Sequence, residues 1–339
     1  MTFIQPYKAL ALQVSCKSIN SCTSNEAASE KIFETIYTIE KQIKASKAFI
    51  GQDLKLVVLP EYFLTGFPMG ETMEQWKEKA CIAMDGKEYA ALKKIAIDAQ
   101  IFLSGNVYEL DNNFPDLHFQ TSFIIDTSGE LILRYRRLNS MFAPTPHDVL
   151  TKYIEVYGKE SLFPVAKTTI GNLACIASEE ILYPEIARCL VMNGAEILLH
   201  SSSEVASPIP TQKNIVKLAR AIENMAYVIS ANSAGIMGYA IPANSTDGHS
   251  QIINYEGVKL CEAANGESMI ANATIHLDAL RHHRNRPGMS NFLSRQRFEL
   301  FADTYSKTVY PANTLIDKKA ERSHFIEMQK MVIEKMNKI

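Results

Sequence analysis

Apolar and polar positions alternate in two rhythms along this chain. Residues 7 to 14, YKALALQV, form a short apolar run that predicts a first strand. From Asn25 to Lys44, Ile32, Ile36, Ile39 and Ile43 recur at helical spacing, which predicts an amphipathic helix with one buried stripe. LKLVVLP (54 to 60) is apolar on both faces and reads as a central strand. Helical text from Glu88 to Gln100 leads to strands at 101 to 110 and 118 to 126. The turn Thr127-Ser128-Gly129-Glu130 then makes a hairpin with LILRYRR. Residues 139 to 168 read as a long irregular connection, a length usually kept for function.

The second half repeats this rhythm without repeating the sequence. TTIGNLACIA is a strand, Pro184 to Asn193 a helix closed by Gly194, and AEILLHS a strand. Thr211 to Asn224 is a helix, AYVISANS a strand, HSQIINYEGVKL a hairpin and ESMIANATI a last strand. Strands alternating with helices, with hairpins in both halves, predict an α/β fold of two mixed sheets, each covered by helices. Without a linker or composition shift, residues 1–280 read as one domain and 281–339 as a C-terminal extension. Its final helix carries Phe325, Met328, Val332 and Met336 on one face, which suits packing on the domain or on a second subunit.

Composition narrows the classes. The chain is 47% apolar and 21% charged, as a globular protein is. A net charge of −2 gives no electrostatic reason for a nucleic-acid partner, and no apolar run approaches the ~20 residues of a membrane span. The six cysteines show no C-x-x-C pair, which fits reduced thiols in a cytoplasmic protein. No spacing of His, Cys or acidic residues suggests a metal, and no motif suggests a cofactor. RHHRNRP reads as a solvated basic turn.

Three strand ends offer chemistry: Glu61 in VVLPEYFLTGFP, Arg137 in LILRYRRLN, and Ser178 where Leu173 to Ala177 meets the corner Ser178-Glu179-Glu180. These pieces, with GAEILLHSSSE, RAIENMAYVISANSAG and GHSQIINYEG, resemble the carbon–nitrogen hydrolase (nitrilase/amidase) superfamily over nearly the whole chain. The resemblance implies a four-layer α-β-β-α sandwich, self-association into a homo-oligomer, and a pocket for a small amide-, nitrile- or carboxylate-like ligand. It also implies a Glu base, a Lys that supports the oxyanion and a Cys nucleophile. Glu61 matches the base. Arg137 stands at the Lys position and Ser178 at the Cys position, six residues before Pro184. A second Glu assists in the family, and Glu155 in TKYIEVYG is the candidate here.

The two substitutions change the chemistry. An alcohol needs a base during attack where a thiol ionises readily, and no His adjoins Ser178 in sequence. Arg137 is expected to pair with Glu61 through both guanidinium arms and hold it charged. Cys175, at an odd offset from Ser178, points to the other face of its strand. The leading expectation is therefore a pseudoenzyme: a homologue with a retained pocket and without thiol-based hydrolysis. The alternatives are an active amidase-like hydrolase or acyl transferase using Ser178, with Arg137 binding the oxyanion or a carboxylate, and a structural partner subunit.

Overall fold

The structure, a computed structural model, describes residues 3–337. The strands are β1 (Tyr7–Ala11), β2 (Ser15–Lys17), β3 (Leu54–Val58), β4 (Phe102–Leu110), β5 (His118–Ile125), β6 (Leu131–Arg136), β7 (Ala166–Thr168) and β8 (Gly171–Ala177), then β9 (Ile197–Ser202), β10 (Tyr227–Asn232), β11 (Gly235–Met237), β12 (Gln251–Ile253), β13 (Lys259–Glu262) and β14 (Asn272–Ile275). The helices are α1 (Asn25–Ile50), α2 (Met73–Ala80), α3 (Lys87–Ala99), α4 (Leu150–Tyr157), α5 (Pro184–Met192), α6 (Gln212–Asn224), α7 (Leu277–Asn285), α8 (Ala302–Tyr305) and α9 (Arg322–Met336).

Two six-stranded sheets carry the fold, in the orders β14-β1-β3-β4-β5-β6 and β13-β12-β10-β9-β8-β7. Each has a parallel centre (β1-β3-β4 and β10-β9-β8) with antiparallel strands outside it. The strands are apolar on both faces because both faces are covered. Leu56 and Val58 of β3 join the core between the sheets, with Leu173, Ile197 and Val228 of the second sheet. Val57 faces the other way, into a core with Ile32, Ile36, Ile39 and Ile43 of α1 and Leu92 and Ile95 of α3. Ile186 and Leu190 of α5 and Ala221 of α6 close the far side. The result is the expected four-layer α-β-β-α sandwich of two mixed sheets.

Some local expectations are corrected. The connection 139–168 is not irregular throughout: it holds α4, whose Tyr153 packs with Phe114 and Phe119 in a third apolar cluster. Most of RHHRNRP is helical, forming the end of α7. There Arg281 pairs with Glu196, and Arg284 donates to the carbonyls of Met225 and Ala195. Arg284 closes the C-terminal end of α6 and Arg281 is ion-paired, so the segment is no free basic turn. Of the predicted α9 stripe, Phe325 is buried against the third cluster while Met336 is exposed. Among the described residues, no helix is long and apolar enough to cross a membrane.

Candidate active site

The site lies where parallel strands of both sheets end, the position at which an α/β sheet leaves its loops free to bind. Glu61 follows β3, Arg137 follows β6 and Ser178 follows β8; Ser203 and Glu204 follow β9. The two sheets are tied together at this end: Glu61 N–H donates to the Ser202 carbonyl at 3.3 Å, and Ser201 Oγ to that of Leu59 at 2.8 Å.

Two sharp corners aim the side chains. Ser178 is held at φ 49° and Tyr62, next to Glu61, at φ 48°. A residue with a Cβ pays roughly 1–2 kcal/mol to occupy that left-handed region, so such corners persist where the surroundings hold them. At Ser178 the holders are identifiable. His200 Nε2 lies 2.8 Å from the Ser178 carbonyl oxygen, and its Nδ1 lies 2.8 Å from Ser230 Oγ. Burial pushes His200 well below its usual pKa, so the ring is neutral. Folding thus brings a histidine to Ser178, but to its backbone and not to its hydroxyl. Two residues on, Glu180 is wholly buried and accepts from Tyr135 Oη at 2.8 Å and from the N–H groups of Leu138 and Asn139 at 2.7 and 3.0 Å. It fastens the chain after Arg137 to the chain after Ser178.

At the Glu61 end every oxygen is engaged. Oε1 accepts from Gln120 Nε2 at 2.7 Å and Arg137 Nη1 at 3.2 Å; Oε2 accepts from Ser203 N–H at 3.1 Å. Arg137 does not grip Glu61 with both arms as expected. Its Nη1 is shared between Glu61 and Gln120 Oε1 (2.6 Å), its Nη2 pairs with Glu179, and its Nε donates to the Asn139 carbonyl at 2.7 Å. A second carboxylate, Glu179, draws the fork apart. Burial alone would lower the guanidinium's pKa, but Glu61 and Glu179 raise it further, so the charge is fixed.

At the Ser178 end the arrangement differs. Lys213 Nζ, from the first turn of α6, donates to Ser178 Oγ at 3.1 Å, lies 3.2 Å from Glu204 Oε2 and reaches the Ser203 carbonyl at 3.4 Å. Sequence reasoning missed Lys213. No direct hydrogen bond joins Ser178 Oγ to Glu61 or Arg137 among the described residues; Glu179 and Ser203 link the two ends.

The remaining candidates fall outside. Glu155 is exposed on α4 and makes no hydrogen bond or ion pair with this group among the described residues. The carboxylates that reach Arg137 are Glu61 and Glu179, so Glu155 is corrected out of the site. The α4 face that turns inward carries Tyr153 instead. Arg136, one residue from Arg137, points to the opposite face of β6, where it pairs with Glu109 and Asp111 over the Phe119 and Tyr157 rings. Cys175 is fully buried beside Ser104, and burial pushes its thiol up to about 12. A thiol so placed is inert. No group of three His, Cys, Asp or Glu able to hold a metal occurs among the described residues.

Comparison with known proteins agrees with this frame. The carbon-nitrogen hydrolase family profile matches residues 23–285. The chain belongs to the carbon-nitrogen hydrolase family. It is similar to a formamidase of Bradyrhizobium sp. (strain ORS 278), 28% identical over 241 residues, which are 70% of this chain and 65% of that protein. The chain therefore spans somewhat less than two thirds of that relative. It is also similar to a probable nitrilase of Schizosaccharomyces pombe, 25% identical over 66% of this chain and 76% of that one. In three dimensions it resembles a carbon-nitrogen hydrolase from Helicobacter pylori G27, with a TM-score of 0.67 and 19% identity over 89% of this chain and 99% of the other.

Proposed function

We propose that this family member is an amide-type hydrolase, or acyl transferase, that runs its acyl chemistry through Ser178. The observation that carries the reading is the contact between Lys213 Nζ and Ser178 Oγ at a strained corner. A hydroxyl with no chemical role would need neither the left-handed backbone nor a buried ammonium aimed at it. Loss of the thiol removes the thioester route and leaves an ester on Ser178 as the covalent intermediate. The formamidase and nitrilase relatives favour a small neutral acyl compound, amide or nitrile, as the ligand.

A second reading, a pocket that binds such a ligand without turning it over, is favoured by one observation: both Glu61 oxygens are already bonded. Ammonia release from a panel of short amides, nitriles and carbamoyl compounds separates the two. Turnover by the native protein that Ser178→Ala abolishes supports the serine reading. Silence of the native protein, with turnover restored by Ser178→Cys/Arg137→Lys, overturns it in favour of the silent pocket.

Self-association belongs to the same proposal. The outer faces of α5 and α6 carry exposed Met192, Ile215 and Ile222, and light scattering of the full chain should report a homo-oligomer. The six unpaired cysteines support a reducing, cytoplasmic setting. The described part of the 281–339 extension docks in this reading on the domain, through Tyr305 on Glu185, Asn313 on Thr151 and Leu315 on Asp148.

A further inference from the structure

We propose that Lys213 is the proton-transfer residue of Ser178 and that Glu204 positions it, a Ser–Lys–Glu relay built from the loop after β9 and the first turn of α6. The inference rests on the serine reading above and names the base which that reading lacks.

Elimination comes first. A base must reach the Ser178 hydroxyl. Glu61 does not touch it, and both its oxygens are taken by Gln120, Arg137 and Ser203. His200 holds the Ser178 carbonyl with one ring nitrogen and Ser230 with the other. Lys217 Nζ is spent on Asn214 Oδ1 at 2.8 Å. Lys213 Nζ is in contact, at 3.1 Å, and a third group orients it: Glu204 at 3.2 Å. A nucleophile in hydrogen-bond contact with a base, and a carboxylate ion-paired with that base, follow the pattern by which an activated alcohol is recognised.

The helix is built for this task. Thr211 caps α6 by accepting from Asn214 N–H, and the face turned inward is Lys213, Lys217, Arg220, Ala221 and Asn224. Two amines one turn apart lie under one roof. Burial, and the charge of Lys213, lower Lys217 from 10.5 to about 7, so two charges here oppose each other. The groups that face Lys213 are Glu204 and Ser203 from the loop after β9, Ser178 after β8, Lys217 on its own helix and the neutral His200 of β9. Asp247 adds a carboxylate through Asn214.

The step balances with water as the only co-reactant. In the reactive form the amine is neutral and the Ser178 O–H donates to it. Oγ bonds to the carbonyl carbon of the amide as its proton passes to Nζ. The C–N bond breaks as Nζ returns that proton to the leaving nitrogen, freeing ammonia and leaving an ester. Water then attacks the ester carbon and gives a proton to Nζ. The C–Oγ bond breaks, Oγ takes the proton back, and the acid is released.

The test is the pH dependence of kcat and KM for a short amide, pH 6 to 11, in the full chain and in Lys213→Met, Lys213→Arg and Glu204→Gln. Arginine keeps the cation and the pairing but cannot take the proton. Expected are a limb rising with pH in the native protein, its loss in both Lys213 variants with kcat down about 100-fold or more, and KM within about threefold. Glu204→Gln removes the carboxylate charge that faces Nζ, and the limb should move to lower pH. Lys213→Arg within about fivefold of native would overturn the relay, since charge alone would then suffice. A limb unmoved in Glu204→Gln would overturn the role of Glu204. If Ser178→Ala retains native activity, or the native protein has none, the serine reading falls and the relay with it; if Ser178→Ala is dead while Lys213→Arg works, the relay alone falls.

Discussion

The two ends of the site use the same kinds of group in opposite ways. At the Glu61 end a carboxylate and a guanidinium are buried and saturated: Arg137 spends its three nitrogens on Glu61, Gln120, Glu179 and the Asn139 carbonyl. At the Ser178 end an ammonium and a carboxylate are less enclosed, with Glu204 24% exposed, and Nζ rests on a hydroxyl. A saturated ion pair is a strut, whereas an ammonium resting on a hydroxyl can change partners. On the serine reading proposed above, the chemistry lies at the second end, where the groups are less committed.

The comparison breaks if the struts cost nothing to remove. Arg137→Met leaves Glu61 buried with no cation beside it, and the expected loss is about 3–5 kcal/mol in urea unfolding. Adding Glu61→Gln should recover part of that loss, because the stranded charge is gone. Lys213→Met, which frees the partly exposed Glu204, should cost less than about 2 kcal/mol. Equal losses at both ends would mean that both pairs are structural.

A smaller effect sharpens the picture of α6. Lys217 is lowered from 10.5 to about 7 by burial and by Lys213. Between those values the unfolded chain binds one proton more than the native chain does. Native stability therefore rises with pH from about 7 to 10.5, and is lost as pH falls back through that window. The slope is at most about 1.4 kcal/mol per pH unit. Lys217→Met should remove this rise and stabilise the protein at pH 7 and below. Urea midpoints at pH 6.5, 8 and 9.5 for both proteins measure it; parallel curves would mean that Lys217 titrates alike in the folded and unfolded chain, and that its burial does not lower it.

The same helix explains why part of the site was not legible in the sequence. In α1 the apolar stripe read from Ile32, Ile36, Ile39 and Ile43 is the buried stripe. In α6 the rule inverts: Lys213, Lys217, Arg220 and Asn224 turn inward, while Ile215 and Ile222 stand 62% and 39% exposed. Periodicity finds an amphipathic helix but cannot say that its polar face is the covered one. The spacing 213-217-220-224 was the available signal. Arg137 was legible because β6 alternates, which fixes it opposite to Arg136. Glu155 misleads because residues 139–168 read as loop, where a carboxylate can point anywhere; within α4 its place is set, and Tyr153 has the inward position. The four layers were legible because strands buried on both faces leave few other arrangements.

The finest test bears on the corner that holds Ser178, the proposed nucleophile. Ser178→Gly and Ser178→Ala both delete the hydroxyl and its contact with Lys213. They differ in the backbone, since Ser178 sits at φ 49°, where glycine is unstrained and alanine is not. The glycine variant should therefore be the more stable by about 1 kcal/mol, the reverse of the order expected at an ordinary position. Both should be inactive. That order, glycine above alanine at a position whose hydroxyl turnover needs, is what a strained nucleophile predicts. An alanine variant as stable as the glycine one would mean that the chain relaxes at residue 178, and would remove the strain from the case that Ser178 is held there for chemistry.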